Sequence, residues 1–246
     1  MTSSLAGRRA LVTGGAIRVG RALSLELADM GIDVVVHHRS SAEAARDTAA
    51  ECRRRGVRAE VVAGDLATAT GARAVVAAAQ AALGGIDVLV NSAANFVAAA
   101  FDETTEEQMD LALAVNLKGP FFCAQAAAPA MIAAGFGRIV NLADVAGLEP
   151  WPRFTAHSVA KAGLVMLTRS LAQTLAPMVT VNAIAPGTVL MPDGASDDAT
   201  RRSAEKSVLE RVGSPDDVAQ ALRYLLEADY VTGHILVVDG GRLVRP

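Results

Sequence analysis

Short β-branched runs alternate with longer alanine-rich segments along the whole of this 246-residue chain. That alternation constrains the fold more than any other feature. The expected strands are Arg9–Val12, Asp33–His37, Arg58–Ala63, Asp87–Asn91, Arg138–Leu142, Val179–Ile184 and His234–Val238. Most are apolar almost throughout, the pattern of strands buried on both faces of a parallel sheet. Helices are expected near Val19–Met30, Ala42–Arg55, Ala69–Leu83, Glu106–Lys118, Pro120–Ala134, Ala156–Leu175 and Pro215–Leu226. Thr105 with Gln108 reads as a capping box, and Ser214 before Pro215 reads as an N-cap with proline at the first helical position. Seven strands joined by helical crossovers predict an α/β fold: one doubly wound domain over residues 1–246, a seven-stranded parallel sheet with helices on both faces. The stretch Gly187–Ser203, rich in Gly, Asp, Ser and Pro, reads as an irregular loop and a candidate lid.

Composition narrows the class. Hydrophobic residues make up 52% of the chain, but alanine supplies much of that share, and no run of 18 uncharged apolar residues occurs. Neither a membrane span nor a secretory leader is expected. With 23 basic and 26 acidic side chains interspersed, there is no basic footprint for nucleic acid. Cys52 and Cys123 sit in no metal or redox spacing, so free thiols in a reducing cytoplasm are expected. No cluster reads as a metal site.

The first strand runs into Thr13-Gly14-Gly15-Ala16-Ile17-Arg18-Val19-Gly20, and a helix follows. Glycines there let the backbone approach a pyrophosphate, whose charge is met by the helix N-terminus. The second strand ends His37-His38-Arg39-Ser40. A carboxylate near that point would accept from a ribose 2′-hydroxyl; a guanidinium and a hydroxyl suit a 2′-phosphate instead. Arg18 adds a second positive group, so NADPH is the expected cofactor. His37 and His38 read as packing and polar contacts. Asp65, followed by Leu66, is read either as an acceptor for an adenine amino group or as a loop aspartate capping its own backbone.

At this point the chain resembles the short-chain dehydrogenase/reductase family, and within it the pteridine reductase branch. The family marks are the Thr13 loop, Leu89-Val90-Asn91-Ser92-Ala93, Val115-Asn116-Leu117-Lys118-Gly119, Val181-Asn182-Ala183-Ile184-Ala185-Pro186-Gly187 and Val238-Asp239-Gly240-Gly241. The branch is suggested by Arg18, by His38-Arg39-Ser40, by Phe96, and most by Asp144, where the family at large carries a serine. The resemblance implies a Rossmann-type domain and a homo-oligomer, usually a tetramer. It implies cofactor contacts at Gly14, Arg18, Val19, Gly20, His38, Arg39, Ser40, Asp65, Leu66, Asn91, Lys161 and the Pro186-Gly187-Thr188 turn. It also implies that Asn116 shapes a kinked helix and holds a water next to Lys161.

One family mark departs. Where the family expects Tyr-x-x-x-Lys, this chain has His157-Ser158-Val159-Ala160-Lys161. The i, i+4 spacing keeps both side chains on one helical face. His157 is then read as a general acid, with Asp144 and Lys161 pulling its titration in opposite directions. Asn116, Asp144, His157 and Lys161 form the expected catalytic set; Phe96, Asp144, Trp151 and His157 are expected at a small-molecule substrate, and Phe154 is a further pocket-wall candidate. The expected reaction is NADPH-dependent reduction of a C=N bond in a pterin-like heterocycle or cyclic imine. The alternatives are a carbonyl reductase and a chain that binds NADPH without turning it over. The alanine-rich helices at Glu106–Ala134 and Ala156–Leu175 are expected to pack across a two-fold axis between copies.

Overall fold

The structure, a computed structural model, describes residues 5–192 and 194–245. Seven parallel strands form one sheet: β1 (Arg9–Thr13), β2 (Asp33–His38), β3 (Ala59–Ala63), β4 (Val88–Asn91), β5 (Gly137–Leu142), β6 (Val179–Pro186) and β7 (Ile235–Val238), in the order β3-β2-β1-β4-β5-β6-β7. Continuous apolar strands are explained by where alternate side chains go. Val12, Val34, Val36, Val88 and Val90 pack into one core layer, while Leu11, Val35 and Leu89 pack into the other. The first layer is closed by α1 (Arg18–Asp29), α2 (Ala42–Arg54) and α8 (Pro215–Glu227), through Leu23, Leu27, Leu222 and Leu225. The second is closed by α3 (Ala69–Leu83) and α5 (Gly119–Ala133), through Val75, Val76, Cys123 and Met131, with Leu171 of α6 (Thr155–Leu175) against it. The strand order reverses between β1 and β4. A crevice opens there at the carboxyl ends of the strands, which is where ligands bind in such sheets.

The chain departs from the sequence pattern in two places. Glu106–Lys118 and Pro120–Ala134 are not separate helices: α4 (Glu106–Leu113) continues through a π turn over Ala114–Lys118 into α5. The Gly119 N–H donates to the Ala114 carbonyl five residues back. Pro120 has no N–H to give its own i−4 carbonyl, so a wider register just ahead of it costs little. The stretch 187–203 is not wholly irregular either, because Asp197 to Ala204 form α7. Its sequence has no apolar period; the helix rests on the Ser196 cap, Asp197 and Asp198 in the first turn, and Arg201 and Arg202 in the last. Asp193 of that stretch lies outside the described residues. Both expected N-caps form, the boxes closing between Thr105 and Gln108 and between Ser214 and Asp217.

The joined helix Glu106–Ala133 is long and apolar enough by composition to cross a bilayer, but half of its apolar window is buried inside the domain. The core of an α/β fold explains such a helix without a membrane.

Candidate active site

The crevice is a cavity of 830 Å³ running from the turn after β1 to the start of α6. At one end the loop Thr13–Gly20 is built around close approaches. Gly14 has φ +63°, and a Cβ there would sit 2.8 Å from the Ala93 backbone. A Cβ at Gly20 would lie 2.0 Å from the Gly14 carbonyl oxygen, so α1 can begin directly against the loop only with glycine there. Ile17 caps α1 with no side-chain bond, and no acid stands in the first turn. The first-turn N–H groups therefore face the cavity with their positive end unneutralised, which suits a phosphate. Arg18 lines the cavity at φ +52°, and its guanidinium donates to the Met191 carbonyl at 3.4 Å.

His37 sets the shape of this end. Gly14 N–H donates to its Nδ1 at 3.1 Å, so Nε2 carries the proton and donates to the Gly64 carbonyl at 3.2 Å. Burial pushes its pKa down to about 4, which keeps the ring neutral as this double role requires. His38, Arg39 and Ser40 line the cavity beside it, with Arg39 and Ser40 exposed; His38 is buried, its Nδ1 without a hydrogen-bond partner among the described residues. Asp65 lines the same wall with Leu66. Its Oδ1 accepts from Ala67 N–H at 2.9 Å, the bond of a loop aspartate capping its own backbone. Val19 and Gly20 line the near side and Pro186, Gly187 and Thr188 the far side.

At the other end, the residues after β5 deliver Asp144 and the first two turns of α6 deliver His157 and Lys161. Asp144 Oδ1 accepts from Ala146 N–H at 2.8 Å, which leaves Oδ2 turned to His157 Nε2 at 3.3 Å. Asp144 keeps 23% of its side-chain surface and His157 only 2%, so the carboxyl is the more accessible of the pair. His157 Nδ1 is buried and has no hydrogen-bond partner among the described residues. Lys161 lies one helical turn on, its Nζ donating to the Leu142 carbonyl at 2.5 Å. Burial lowers its pKa to about 8, opposed by the Asp144 charge. Both tyrosines are remote from the cavity: Tyr224 and Tyr230 are exposed on or beyond α8. No phenol can stand in for His157.

Phe96, Trp151 and Phe154 gather around His157. Phe96 meets the His157 ring edge-on at a 4.7 Å centroid distance and lies 4.4 Å from Phe154 and 6.3 Å from Trp151. Phe96 and Trp151 line the cavity; Phe154 stands behind them. Two expected contacts are placed differently. Asn91 is buried below the floor, its Nδ2 donating to Asn141 Oδ1 at 2.9 Å, so its side chain braces β4 against β5 rather than reaching a cofactor. Asn116 sits in the π turn with its amide committed to Asn95: Oδ1 accepts from Asn95 N–H, and Nδ2 donates to Asn95 carbonyl and Oδ1 oxygens at 3.2 and 2.5 Å. It therefore fixes the loop carrying Phe96 from within the helix irregularity that the resemblance implied at this residue. Asn95 itself, with Ser92, Ala93 and Ala94, lines the cavity and carried no sequence signal of its own.

A glycine cradle, an uncapped helix start, two guanidinium groups and a second end with a carboxyl–imidazole pair fit a dinucleotide whose reactive ring meets a small acceptor.

Comparison with known proteins agrees. Residues 15–242 match the family model described as enoyl-(acyl carrier protein) reductase. A short-chain type dehydrogenase/reductase of Picea abies is 32% identical, over 97% of this chain and 93% of its own. The 3-oxoacyl-[acyl-carrier-protein] reductase FabG of Staphylococcus aureus is 34% identical, over 95% and 97%. Among solved structures, acetoin dehydrogenase from Salmonella typhimurium superposes with a TM-score of 0.90 at 34% identity, covering 97% of each chain. A 7α-hydroxysteroid dehydrogenase complexed with NADH and a 7-oxo bile acid conjugate superposes with a TM-score of 0.92 at 28% identity, covering 98% of this chain and 96% of its own. The Staphylococcus aureus, Salmonella typhimurium and hydroxysteroid relatives are named for carbonyl or alcohol chemistry, and none of these names supports the pteridine branch.

Proposed function

The chain belongs to the short-chain dehydrogenase/reductase family of oxidoreductases, and on that premise we propose that it reduces a ketone to a secondary alcohol with NADPH. The single observation that carries this reading is the Asp144–His157 pair, 3.3 Å apart, with Lys161 one turn away at the acceptor end of the cofactor cavity. The names of the relatives favour C=O over C=N. Arg39, Ser40 and Arg18 support the 2′-phosphate, since no carboxylate stands at the end of β2.

The nicotinamide, when bound, supplies the hydride. The chain's own residues handle the proton. As the carbonyl carbon gains the hydride its oxygen develops negative charge, and the Asp144–His157 pair holds one proton to neutralise it. Asp144 is the more exposed partner and gives that proton to the oxygen, which leaves a carboxylate beside a neutral imidazole; the pair regains its proton through Asp144, the side that keeps exposed surface. The buried Lys161 ammonium would hold the ribose hydroxyls and adds positive potential where charge develops. Gly14, the first turn of α1 and the Pro186–Thr188 turn would hold the pyrophosphate and the carboxamide.

A C=N acceptor is the second reading. A carboxyl bonded to an imidazole is an effective proton source for a basic nitrogen, and neither Tyr224 nor Tyr230 lines the cavity to polarise a ketone in the family's usual way. An assay of NADPH and NADH oxidation against ketones and cyclic imines separates the two. We expect ketone turnover with NADPH preferred. Turnover confined to imines would establish the second reading, and tight NADPH binding with no turnover would leave a cofactor-binding protein.

We further propose a homo-oligomer in the cytoplasm. Leu111, Phe121, Ile132, Val159 and Met166 of α4, α5 and α6 are exposed, apolar side chains that an interface between copies would cover. Cys52 and Cys123 are buried free thiols, which a reducing compartment suits.

A further inference from the structure

Glu149 and Arg242 lie 93 residues apart in sequence and meet at the acceptor end of the cavity. Glu149 Oε1 accepts from the indole Nε1–H of Trp151 at 2.8 Å and from Arg242 Nε–H at 2.7 Å. The Arg242 guanidinium also lies over the Trp151 ring, 4.6 Å from its centroid. One carboxylate and one guanidinium thus fix the indole by its edge and by its face. Neither Glu149 nor Arg242 lines the cavity; Trp151 does.

The C-terminal segment that carries Arg242 is itself locked. Asp239 accepts from the N–H groups of Gly241 and Leu243, both at 2.8 Å, and Gly241 holds φ +83°. The Arg245 guanidinium donates to the Ser207 carbonyl at 3.1 Å, and Leu209 N–H donates to the Gly240 carbonyl at 3.0 Å. The last residues of the chain therefore tie the segment following α7 to the wall that faces the acceptor.

We propose that Arg242, acting through Glu149, is a positioning residue that holds Trp151 as a rigid wall of the acceptor site, so that the C-terminal segment sets specificity for ring-bearing acceptors. The acceptor part of this statement rests on the function proposed above; the anchoring of Trp151 does not. A loose indole would have to be ordered at each binding event, and that cost would fall on the acceptor's KM rather than on the cofactor's. Arg242 touches no reacting atom, so kcat is left alone.

Trp151 is the only tryptophan in the chain, so its fluorescence reports this wall alone. The experiment compares the purified protein with Arg242→Gln, Glu149→Gln and Arg242→Lys, by emission maximum and acrylamide quenching, and then by KM for NADPH and for a cyclohexanone-type ketone. Arg242→Gln and Glu149→Gln should red-shift the emission and make it more quenchable, while Arg242→Lys, which keeps a cation able to donate to Glu149, stays closer to the parent. KM for the cyclic ketone should rise about fivefold in Arg242→Gln, with KM for NADPH and kcat within about twofold. Unchanged emission and quenching in Arg242→Gln would overturn the anchoring. Greater quenching with no change in ketone KM would overturn the specificity role. Should no ketone turn over, the proposed function fails, and the fluorescence result still decides whether Arg242 holds Trp151.

Discussion

Arg18 holds a backbone conformation, φ +52°, that favours glycine, and it does so on the wall of the cofactor cavity. Strain of that kind persists where the side chain is wanted. Arg18→Gly should therefore stabilise the fold by about 1 kcal/mol in chemical denaturation while raising the Kd for NADPH by about tenfold and that for NADH little. Equal weakening of both cofactors would remove Arg18 from 2′-phosphate recognition. Lys161 makes a second residue-scale prediction. Its pKa in the folded protein is about 8 against 10.5 for the free side chain, so above pH 8 the folded state releases a proton the unfolded state keeps. Stability on this account rises with pH between 8 and 10.5, while activity that needs the ammonium falls with a midpoint near 8. Parallel pH profiles of kcat/KM and of denaturation midpoint would show the two moving in opposite directions. His37 has the same sign at lower pH: with a folded pKa of about 4 against 6.5, its contribution to stability is lost as pH falls through that interval. The Gly14 bond to Nδ1 survives until the ring itself protonates.

At the scale of the element, the π turn Ala114–Lys118 matters because it aims Asn116 at Asn95. Asn116→Ala leaves Asn95 groups without partners and should cost about 1–3 kcal/mol of stability. Because Asn95 precedes Phe96, acceptor KM should rise while NADPH affinity holds; a loss of NADPH affinity instead would place Asn116 at the cofactor. The sequence displayed the elements with periodic patterns and the caps with side-chain signatures. The periodic pattern hid the π turn, since a one-residue change of register leaves no periodic trace, and only the family resemblance pointed to a kink at Asn116; the pattern also hid α7, whose residues Asp197 to Ala204 bury no apolar face. Likewise the His157/Lys161 pair was legible from its spacing in one helix, and Asp144 from its place after β5. The partners Asn95, Glu149 and Arg242 were not, because their bonds join segments that only the folded chain brings together.

Over the whole molecule, the proposed homo-oligomer would bury the exposed apolar side chains of α4, α5 and α6. Light scattering should give a mass that is a multiple of the 25.3 kDa chain, and Met166→Glu on α6 should lower it. A monomeric parent protein would refute the proposed assembly. The sheet order, the switch point between β1 and β4 and the cavity above it place the cofactor loop at one end and the Asp144–His157 pair at the other. That the pair is the working proton source is the central claim, and Asp144→Asn tests it most directly because it keeps the side chain's shape. NADPH consumption with a turned-over ketone should fall by about a hundredfold or more, with NADPH affinity by fluorescence titration within about twofold of the parent. Undiminished turnover in Asp144→Asn would contradict the account and leave proton delivery to another group.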